Sequence, residues 1–402
     1  MYVGDSERES ELRATARAWL AAHPAPATSP RLPLDERLAL ASRWQQLLHD
    51  HGWAGLAWPT EFGGRGGTPI EAAIFQQEET QVLDWRLLKR PLNVALNIAA
   101  PTLMAFGTPE HRGTHLPAIL RGEQYWCQLF SEPSAGSDLS SLRTMATRDG
   151  SRFVVNGQKV WTSYAHYAHY GLLLARTDPD APKHRGLSYF VIDMRTAGIS
   201  IRPLRQMSGA SEFNEVFFDD VVIADSCLLG GENDGWTVAH ATLANERQYL
   251  GAMAFTERKF PMLFEAARRA AFSDEAVARQ RLAACYTREQ VLRYLGFRVQ
   301  TAISNGDPIG PTGSVLKLAQ AQHVTICAND LLSFAAGAGL AVTGEDWDLL
   351  EIRDEFLVSP GMRIGGGTDN IQKQTIAERI LGLPRERDDE RSRPWRSVEP
   401  QQ

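Results

Sequence analysis

Two loops in the sequence combine residue types that could hold a charged or aromatic ligand. Small and polar residues from Ser131 to Asp138 directly follow an apolar segment, and they offer hydroxyls and backbone N–H groups to such a ligand. The run Gly365–Gly367 leads into a helical pattern, where glycine permits close backbone approach and a helix N-terminus favours an anion. The ordinary alternatives are a simple turn for the first loop and a hinge before a helix for the second.

A third feature, Glu246, is a carboxylate within an apolar helical stripe. Its neighbours three and four positions away include Leu243 and Leu250, and none of these neighbours is a cation. Burying a carboxylate costs free energy unless it is paired, and desolvation raises the pKa of such a group toward the range of a general base. The alternative role is a salt bridge to another helix, and Glu257, close to the same face, is the competing carboxylate.

Composition excludes several classes of protein. The 402 residues are 43% hydrophobic and 22% charged, which is typical of a globular chain of two or three domains. A net charge of −6 argues against nucleic-acid binding, and the apolar runs are far shorter than the roughly 20 residues of a membrane span. The first residues lack the basic start and apolar core of a signal peptide. A soluble protein of the cytoplasm, bound to no membrane, is therefore expected.

Cysteine and histidine usage predicts no metal site. The four cysteines are scattered without a CxxC pair, so each is expected to be a free thiol, as in a reducing compartment. His166 and His169 are three residues apart, but no cysteine or carboxylate stands near them at the spacing of zinc ligands.

Hydrophobic periodicity predicts helices, then strands, then helices again, an α+β chain. Asn156-Gly157 predicts a hairpin with a type I′ turn. The three predicted domains are an N-terminal helical domain (1–122), a middle antiparallel β-domain (123–232) and a C-terminal helical bundle with a charged tail (233–402). Helical patterns cover 7–22, 36–51, 69–83, 92–106, 236–269, 276–304, 313–336 and 369–381. Further strand patterns cover 170–176, 186–193, 199–204 and 215–223.

Four ordered motifs on this plan resemble the acyl-CoA dehydrogenase flavoprotein family, over about residues 36–385. They are Phe130–Asp138, Asn156–Ser163, Phe213–Val221, and Gly366–Thr368 together with Gln372 and Ala377–Arg385. The resemblance implies the family's fold, FAD as cofactor and desaturation of an acyl thioester.

The resemblance also assigns residues to the cofactor and the substrate. Phe130 and Ser131 would contact the flavin ring, Trp161 would pack against it, and Ser163 would form a hydrogen bond near its N5 atom. The remaining cofactor contacts would come from Ser137, Gly366, Thr368 and Asn370. Substrate contacts would come from Ser137, Arg247, Gly366 and Gly367.

The catalytic base implied by the resemblance is Glu246. Many family members carry a glutamate directly before the Gly-Thr of the C-terminal motif, where this sequence has Gly366. A minority place it on the long helix after the β-domain, and Leu243–Arg247 matches that pattern. Glu246 would remove the α-proton while a hydride passes from Cβ to flavin N5. The backbone N–H at Gly366 and a ribityl hydroxyl would stabilise the developing enolate.

Partners also follow from the resemblance. The substrate would be an acyl-CoA or acyl-carrier thioester, the electron acceptor an electron-transfer flavoprotein, and the assembly a homodimer or homotetramer, with a heterotetramer as the alternative. The segment Phe297–Val315 resembles the bacterial branch that acts on bulky acyl groups such as steroid side chains, and Phe334–Pro360 departs from the usual pattern. The other readings are a carrier-protein-bound acyl dehydrogenase, a flavin oxidase or monooxygenase, and a non-catalytic subunit.

Overall fold

The chain divides into two units, each with its own hydrophobic core. A computed structural model describes residues 5–29, 32–253, 259–270, 274–305, 307, 310–335, 347–385 and 392–397. The sheet unit comprises Glu11–Arg205, Ser211–Glu246 and Glu386–Gln402. The helical unit comprises Met1–Ser10, Gln206–Ala210 and Arg247–Arg385. The three predicted domain boundaries stay a prediction.

Helices form the first part of the chain, as predicted. They are α1 (Glu7–Ala22), α2 (Leu34–Asp50), α3 (Pro69–Glu79), α4 (Trp85–Leu88), α5 (Ala100–Phe106) and α6 (Pro109–Leu120), with a π-helical stretch at Val94–Ala99. Thr68 caps α3, and its hydroxyl accepts a hydrogen bond from the Glu71 backbone N–H at 3.2 Å. Helix α6 was not predicted individually, because it contains Pro117, which interrupts the usual helical signal.

A seven-stranded sheet follows. Its strands are β1 (Trp126–Leu129), β2 (Met145–Asp149), β3 (Arg152–Ser163), β4 (Tyr170–Arg176), β5 (Leu187–Asp193), β6 (Ile199–Leu204) and β7 (Phe213–Ala224). The strand order is β1-β4-β2-β3-β7-β6, and β5 pairs with β4. The predicted β-domain is confirmed. Its pairing is antiparallel except that β1 pairs with β4 in parallel and β2 meets β4 in parallel at one residue pair.

The predicted turn at Asn156-Gly157 is wrong. Strand β3 runs through both residues, and the turn that joins β2 to β3 lies at Gly150 and Ser151. Gly157 has φ +149°, and a Cβ there would come within 2.6 Å of the Thr144 hydroxyl. The glycine is therefore needed at a close approach inside an irregular strand, where the β3–β7 register shifts, and not in a hairpin turn.

The later helices are α7 (Gly235–Met253), α8 (Phe260–Arg269), α9 (Ala276–Ser304), α10 (Thr312–Phe334), α11 (Trp347–Met362) and α12 (Asp369–Arg379). The predicted single helix 236–269 is wrong, because it holds the separate helices α7 and α8. Helix α11 was not predicted, and all but its last two residues fall in the segment Phe334–Pro360 that departs from the family pattern. The core of the helical unit includes Leu263, Leu331 and Phe334.

Part of the charged tail packs on the sheet unit. The Trp395 backbone N–H donates to the Ala181 carbonyl at 2.9 Å, and the buried Arg176 guanidinium lies 4.3 Å from the centre of the Trp395 ring. Within the described residues, no helix combines the length and the apolar character that crossing a membrane requires.

Candidate active site

The polar loop after β1 is fixed by a buried ion pair. Lys159, fully buried on β3, donates from Nζ to Glu132 Oε1 at 2.8 Å and to the Phe130 carbonyl at 3.0 Å. The carboxylate also accepts the backbone N–H groups of Arg143 at 2.6 Å and Thr144 at 2.9 Å. Burial alone would raise the pKa of Glu132, but the ammonium and these donors outweigh it and hold the pKa below its ordinary value. The pair ties the loop to β3.

Trp161 is presented outward by an irregularity in β3. Its backbone has φ +59°, its side chain is 61% exposed, and the β3–β7 register shifts around it. For a bulky residue this conformation costs on the order of 1–3 kcal/mol, and such strain clusters at ligand sites. The Trp161 ring meets Phe213 edge-on at 6.0 Å. The Val160 N–H donates to the Ser131 carbonyl at 2.9 Å, so Trp161 and the half-buried Ser163 lie on a strand bonded directly to the loop.

A short chain of contacts connects the same loop to the helix that carries Glu246. The Phe130 ring packs perpendicular to Tyr189 at 5.7 Å, and the Tyr189 hydroxyl lies 3.1 Å from that of Thr242 on α7. Glu246 stands one turn further along α7 and is half-buried. Burial raises the pKa of Tyr189, and the Glu246 charge adds to this effect. The carboxylate therefore lies in the electrostatic environment of Tyr189, within the sheet unit.

The C-terminal glycines lead into α12 in the helical unit. Gly366 and Gly367 have φ +65° and +89°, the region that favours glycine. Lys317 Nζ donates to the Gly367 carbonyl at 2.6 Å, and Gln372 Nε2 donates to the Gly366 carbonyl at 2.9 Å. Thr368 caps α12 by accepting a backbone N–H on its hydroxyl. The backbone of this turn is therefore held in place by side chains.

An open cleft of about 400 Å³ lies beside this turn. It is lined by Thr325, Pro360, Arg363, Thr368, Asp369 and Asn370. Arg363 forms an ion pair with Asp369 at 2.6 Å, while Asp369 Oδ1 is buried and has no hydrogen-bond partner among the described residues. Guanidinium, hydroxyl and amide donors beside an unsatisfied acceptor suit a phosphate-bearing, hydroxyl-rich ligand.

Comparisons with known proteins give the family. The models of the acyl-CoA dehydrogenase N-terminal, middle and C-terminal domains match residues 6–123, 127–221 and 233–381. Acyl-CoA dehydrogenase IpdE1 of Mycobacterium tuberculosis is 36% identical, and the match covers 94% of this chain and 98% of that protein. The chain belongs to the acyl-CoA dehydrogenase family. The predicted family and enzyme class, an oxidoreductase, are thus confirmed.

Other similar proteins include larger and heteromeric ones. Acyl-CoA dehydrogenase FadE34 of M. tuberculosis is 42% identical over 85% of this chain, which spans about half (46%) of that protein. The solved Tcur3481-Tcur3483 steroid ACAD has a TM-score of 0.80 at 28% identity, covering 96% of this chain and 100% of its own. The ChsE4-ChsE5 complex from M. tuberculosis has a TM-score of 0.78, also at 28% identity, with the same coverage.

The predicted site residues of the dehydrogenase fall on both units. Phe130, Ser131, Ser137, Trp161, Ser163 and Glu246 lie on the sheet unit, whereas Gly366, Gly367, Thr368 and Asn370 lie on the helical unit. Ser137 is exposed in the loop after β1. The Arg247 side chain and the competing carboxylate Glu257 lie outside the described residues.

Two parts of the site were missed in the sequence. Glu132 and Lys159 each lie in one of the four motifs, but their ion pair was not predicted. The contact between Tyr189 and Thr242 was not predicted either. The first had no clear local signal, because the polar residues Asn156 and Gln158 also lie on β3, and Lys159 needs an acidic partner only because it is buried. The second had no local signal, because it joins β5 to α7 through tertiary packing.

Proposed function

We propose that this chain is an FAD-dependent acyl-CoA dehydrogenase that introduces an α,β double bond into an acyl thioester, with Glu246 as the base. The observation that carries the proposal is the position of Glu246. It stands one turn beyond Thr242 on α7, and the Thr242–Tyr189–Phe130 contacts connect that turn to the loop bearing the predicted flavin contacts.

The residues present fit FAD, the cofactor of the family. On the sheet unit, the exposed Trp161 ring offers a flat surface for the flavin ring, and Ser163 offers a hydroxyl on the same strand. On the helical unit, Thr368 and Asn370 line a cleft whose donors suit the ribityl and pyrophosphate part. When bound, the flavin supplies the acceptor for the hydride that leaves Cβ.

Glu246 would accept the α-proton of the thioester. A carboxylate partly withdrawn from water is a stronger base than a solvated one, because its charged form loses hydration. The α-C–H bond is nevertheless a weak acid, so the thioester oxygen needs hydrogen-bond donors as negative charge develops on it. The Gly366 backbone N–H is the donor that the chain would provide.

Backbone conformation supports placing the base on α7 and not at position 366. Gly366 has φ +65°, where a glutamate would pay the cost of the left-handed region, about 1–2 kcal/mol. Position 366 is therefore better suited to a glycine that donates its backbone N–H than to a glutamate that acts as the base.

The proposed substrate class is a bulky acyl-CoA, and the proposed electron acceptor is an electron-transfer flavoprotein. Support for a bulky substrate comes from the 28% identical steroid ACAD and from the departures at Phe297–Val315 and Phe334–Pro360. A heteromeric assembly is proposed beside a homo-oligomer, because one similar solved structure is a complex of ChsE4 with ChsE5. An acyl-carrier thioester is the alternative substrate.

Substrate selectivity tests the bulky-substrate proposal. We expect kcat/KM for a steroid side-chain CoA to exceed that for a short straight-chain CoA by at least about tenfold, since a pocket shaped for a large group loses apolar contacts with a small one. The measurement is steady-state kinetics with an artificial electron acceptor, with mass spectrometry showing a product lighter by two hydrogens. A preference for the short chain would contradict the proposed substrate class, and turnover of neither would contradict the proposed activity.

Replacing Trp161 by Ala should weaken flavin retention about fivefold, because aromatic stacking contributes on the order of 1 kcal/mol. The fold should persist, since the Trp161 side chain is largely exposed. Equilibrium dialysis of the purified variant measures the flavin dissociation constant, and Trp161→Phe, which keeps a flat ring, should retain most of the affinity. Wild-type flavin affinity in Trp161→Ala would rule out a stacking role.

A further inference from the structure

We propose that Cys285, His323 and Cys327 bind a zinc ion inside the helical unit. Cys285 lies on α9, and His323 and Cys327 lie on α10. The two Sγ atoms are 3.4 Å apart, and Cys327 Sγ lies 3.6 Å from His323 Nδ1 and 3.7 Å from Nε2. All three side chains are buried, and one ligand atom from each lies within 4.8 Å of the others.

These distances match the edges of a tetrahedral zinc site. With Zn–S bonds of about 2.3 Å and Zn–N bonds of about 2.0–2.1 Å, tetrahedral angles place two sulfurs about 3.8 Å apart and a sulfur and a nitrogen about 3.5 Å apart. The Cys285–Cys327 and Cys327–His323 separations therefore need to change by only a few tenths of an ångström. The Cys285 sulfur and the His323 nitrogen lie within 4.8 Å of one another and would move together to reach the tetrahedral S–N distance. Thiolate and imidazole are also the ligands that zinc prefers in proteins. His323 and Cys327 are four residues apart and so share one face of α10.

The Glu289 carboxylate lies near the second ring nitrogen of His323. Glu289 Oε1 lies 3.7 Å from His323 Nε2, and its position is fixed by the backbone N–H groups of Lys259 and Phe260. Metal-bound histidines commonly donate their second ring N–H to such a carboxylate, which fixes the tautomer and the ring orientation. The arrangement points to Nδ1 as the zinc ligand and Nε2–H as the donor to Glu289.

Zinc binding also requires a rearrangement of Arg288. Arg288 Nε donates to His323 Nδ1 at 3.3 Å and would have to leave that nitrogen. Both thiols would release their protons to solvent, and the two thiolates would then balance the charge of Zn²⁺. Arg288 and Glu289 contribute one charge of each sign, so the buried cluster would stay neutral. Three protein ligands leave the fourth position to a water molecule.

Sequence spacing could reveal only part of this cluster, the pair His323 and Cys327 four residues apart. Cys285 and Cys327 are 42 residues apart on different helices, whereas the expectation of no metal site relied on ligands close together in sequence.

Metal analysis of the wild-type protein tests the proposal directly. The full-length protein, purified without chelators and with its flavin bound, is expected to hold a single zinc ion per chain by mass spectrometry of the elements. After exchange with Co²⁺, intense tetrahedral cobalt bands should appear to the red of the flavin absorption. Absence of zinc after equilibration with zinc salt, together with absence of these cobalt bands, would overturn the proposal. This outcome does not depend on the folding of any variant.

Variants of the proposed ligands then test whether the metal binds at this cluster. Cys285→Ser/Cys327→Ser should lose the cobalt bands, and Glu289→Gln should weaken zinc affinity about 10- to 100-fold. Cys227→Ser is the matched control, because Cys227 is a half-buried free thiol of the sheet unit and its replacement should leave the metal content unchanged. Wild-type metal content in the double variant would place the metal elsewhere and overturn the assignment.

Discussion

Replacing Glu246 by Gln is expected to slow the reduction of bound flavin by substrate by about 100- to 10,000-fold, the usual contribution of a positioned general base. The amide has the size of the carboxylate but cannot accept the α-proton. Because Thr242, Tyr189 and Phe130 are unchanged, the fold and the spectrum of bound flavin should be preserved. Anaerobic stopped-flow mixing with an acyl-CoA substrate measures the rate of flavin bleaching.

The control for this experiment is Glu257→Gln, the other carboxylate that the helical pattern places near the same face. The flavin bound to Glu257→Gln should be reduced by substrate at close to the wild-type rate. A normal rate in Glu246→Gln would remove Glu246 as the base. A loss of reduction in Glu257→Gln alone would transfer the role to Glu257.

Lys159→Met should lower the free energy of unfolding by about 3–5 kcal/mol, because it leaves Glu132 buried without its cation. The loss should extend to flavin binding, since Lys159 also holds the Phe130 carbonyl at the start of the predicted flavin loop. Urea unfolding and the ratio of flavin to protein measure the two effects.

A second lysine that contacts the same loop provides the matched control. Lys183 contacts Asp138 at 3.0 Å, but that carboxylate is 45% exposed. Lys183→Met should therefore cost less than about 1 kcal/mol. The double variant Lys159→Met/Glu132→Gln should recover part of the stability lost in Lys159→Met, because no uncompensated charge stays buried. If Lys159→Met and Lys183→Met lower the free energy of unfolding equally, the buried pair does not contribute more to stability than the exposed one.

The same pair predicts a dependence of stability on pH. Glu132 has a folded-state pKa below its ordinary value of 4.5, so its contribution is fully present above pH 4.5 and is lost as the pH falls through the folded pKa. Unfolding free energies measured between neutral pH and acid should fall less steeply in Lys159→Met/Glu132→Gln than in the wild type. Identical slopes would show that Glu132 does not contribute to acid sensitivity.

Regular elements with a strong local pattern could be predicted from the sequence. Helix α1 and strands β4 and β6 have the bounds that periodicity predicted, because apolar spacing and burial agree there. Asn156-Gly157 failed for the opposite reason. Its local preference for a turn is overridden by pairing of β3 with β7 and by the close approach of Thr144 to Gly157.

The candidate site could be predicted as a set of residues but not as an arrangement. Glu246 and Trp161 were found from a helical stripe and a motif, and their environments depend on partners distant in sequence. Tyr189 is 53 residues from Thr242, and Glu132 is 27 residues from Lys159. The positive φ of Trp161 also has no sequence signal, because a bulky residue is disfavoured there by local energetics.

The absorption spectrum of the purified protein, before and after anaerobic addition of a panel of acyl-CoAs, tests whether the protein is a flavin-dependent acyl-CoA dehydrogenase. We expect the two bands of oxidised flavin, bleached by one class of acyl-CoA and left unchanged by the others. A colourless protein that cannot be reconstituted with FAD would contradict this function and would instead indicate a non-catalytic subunit.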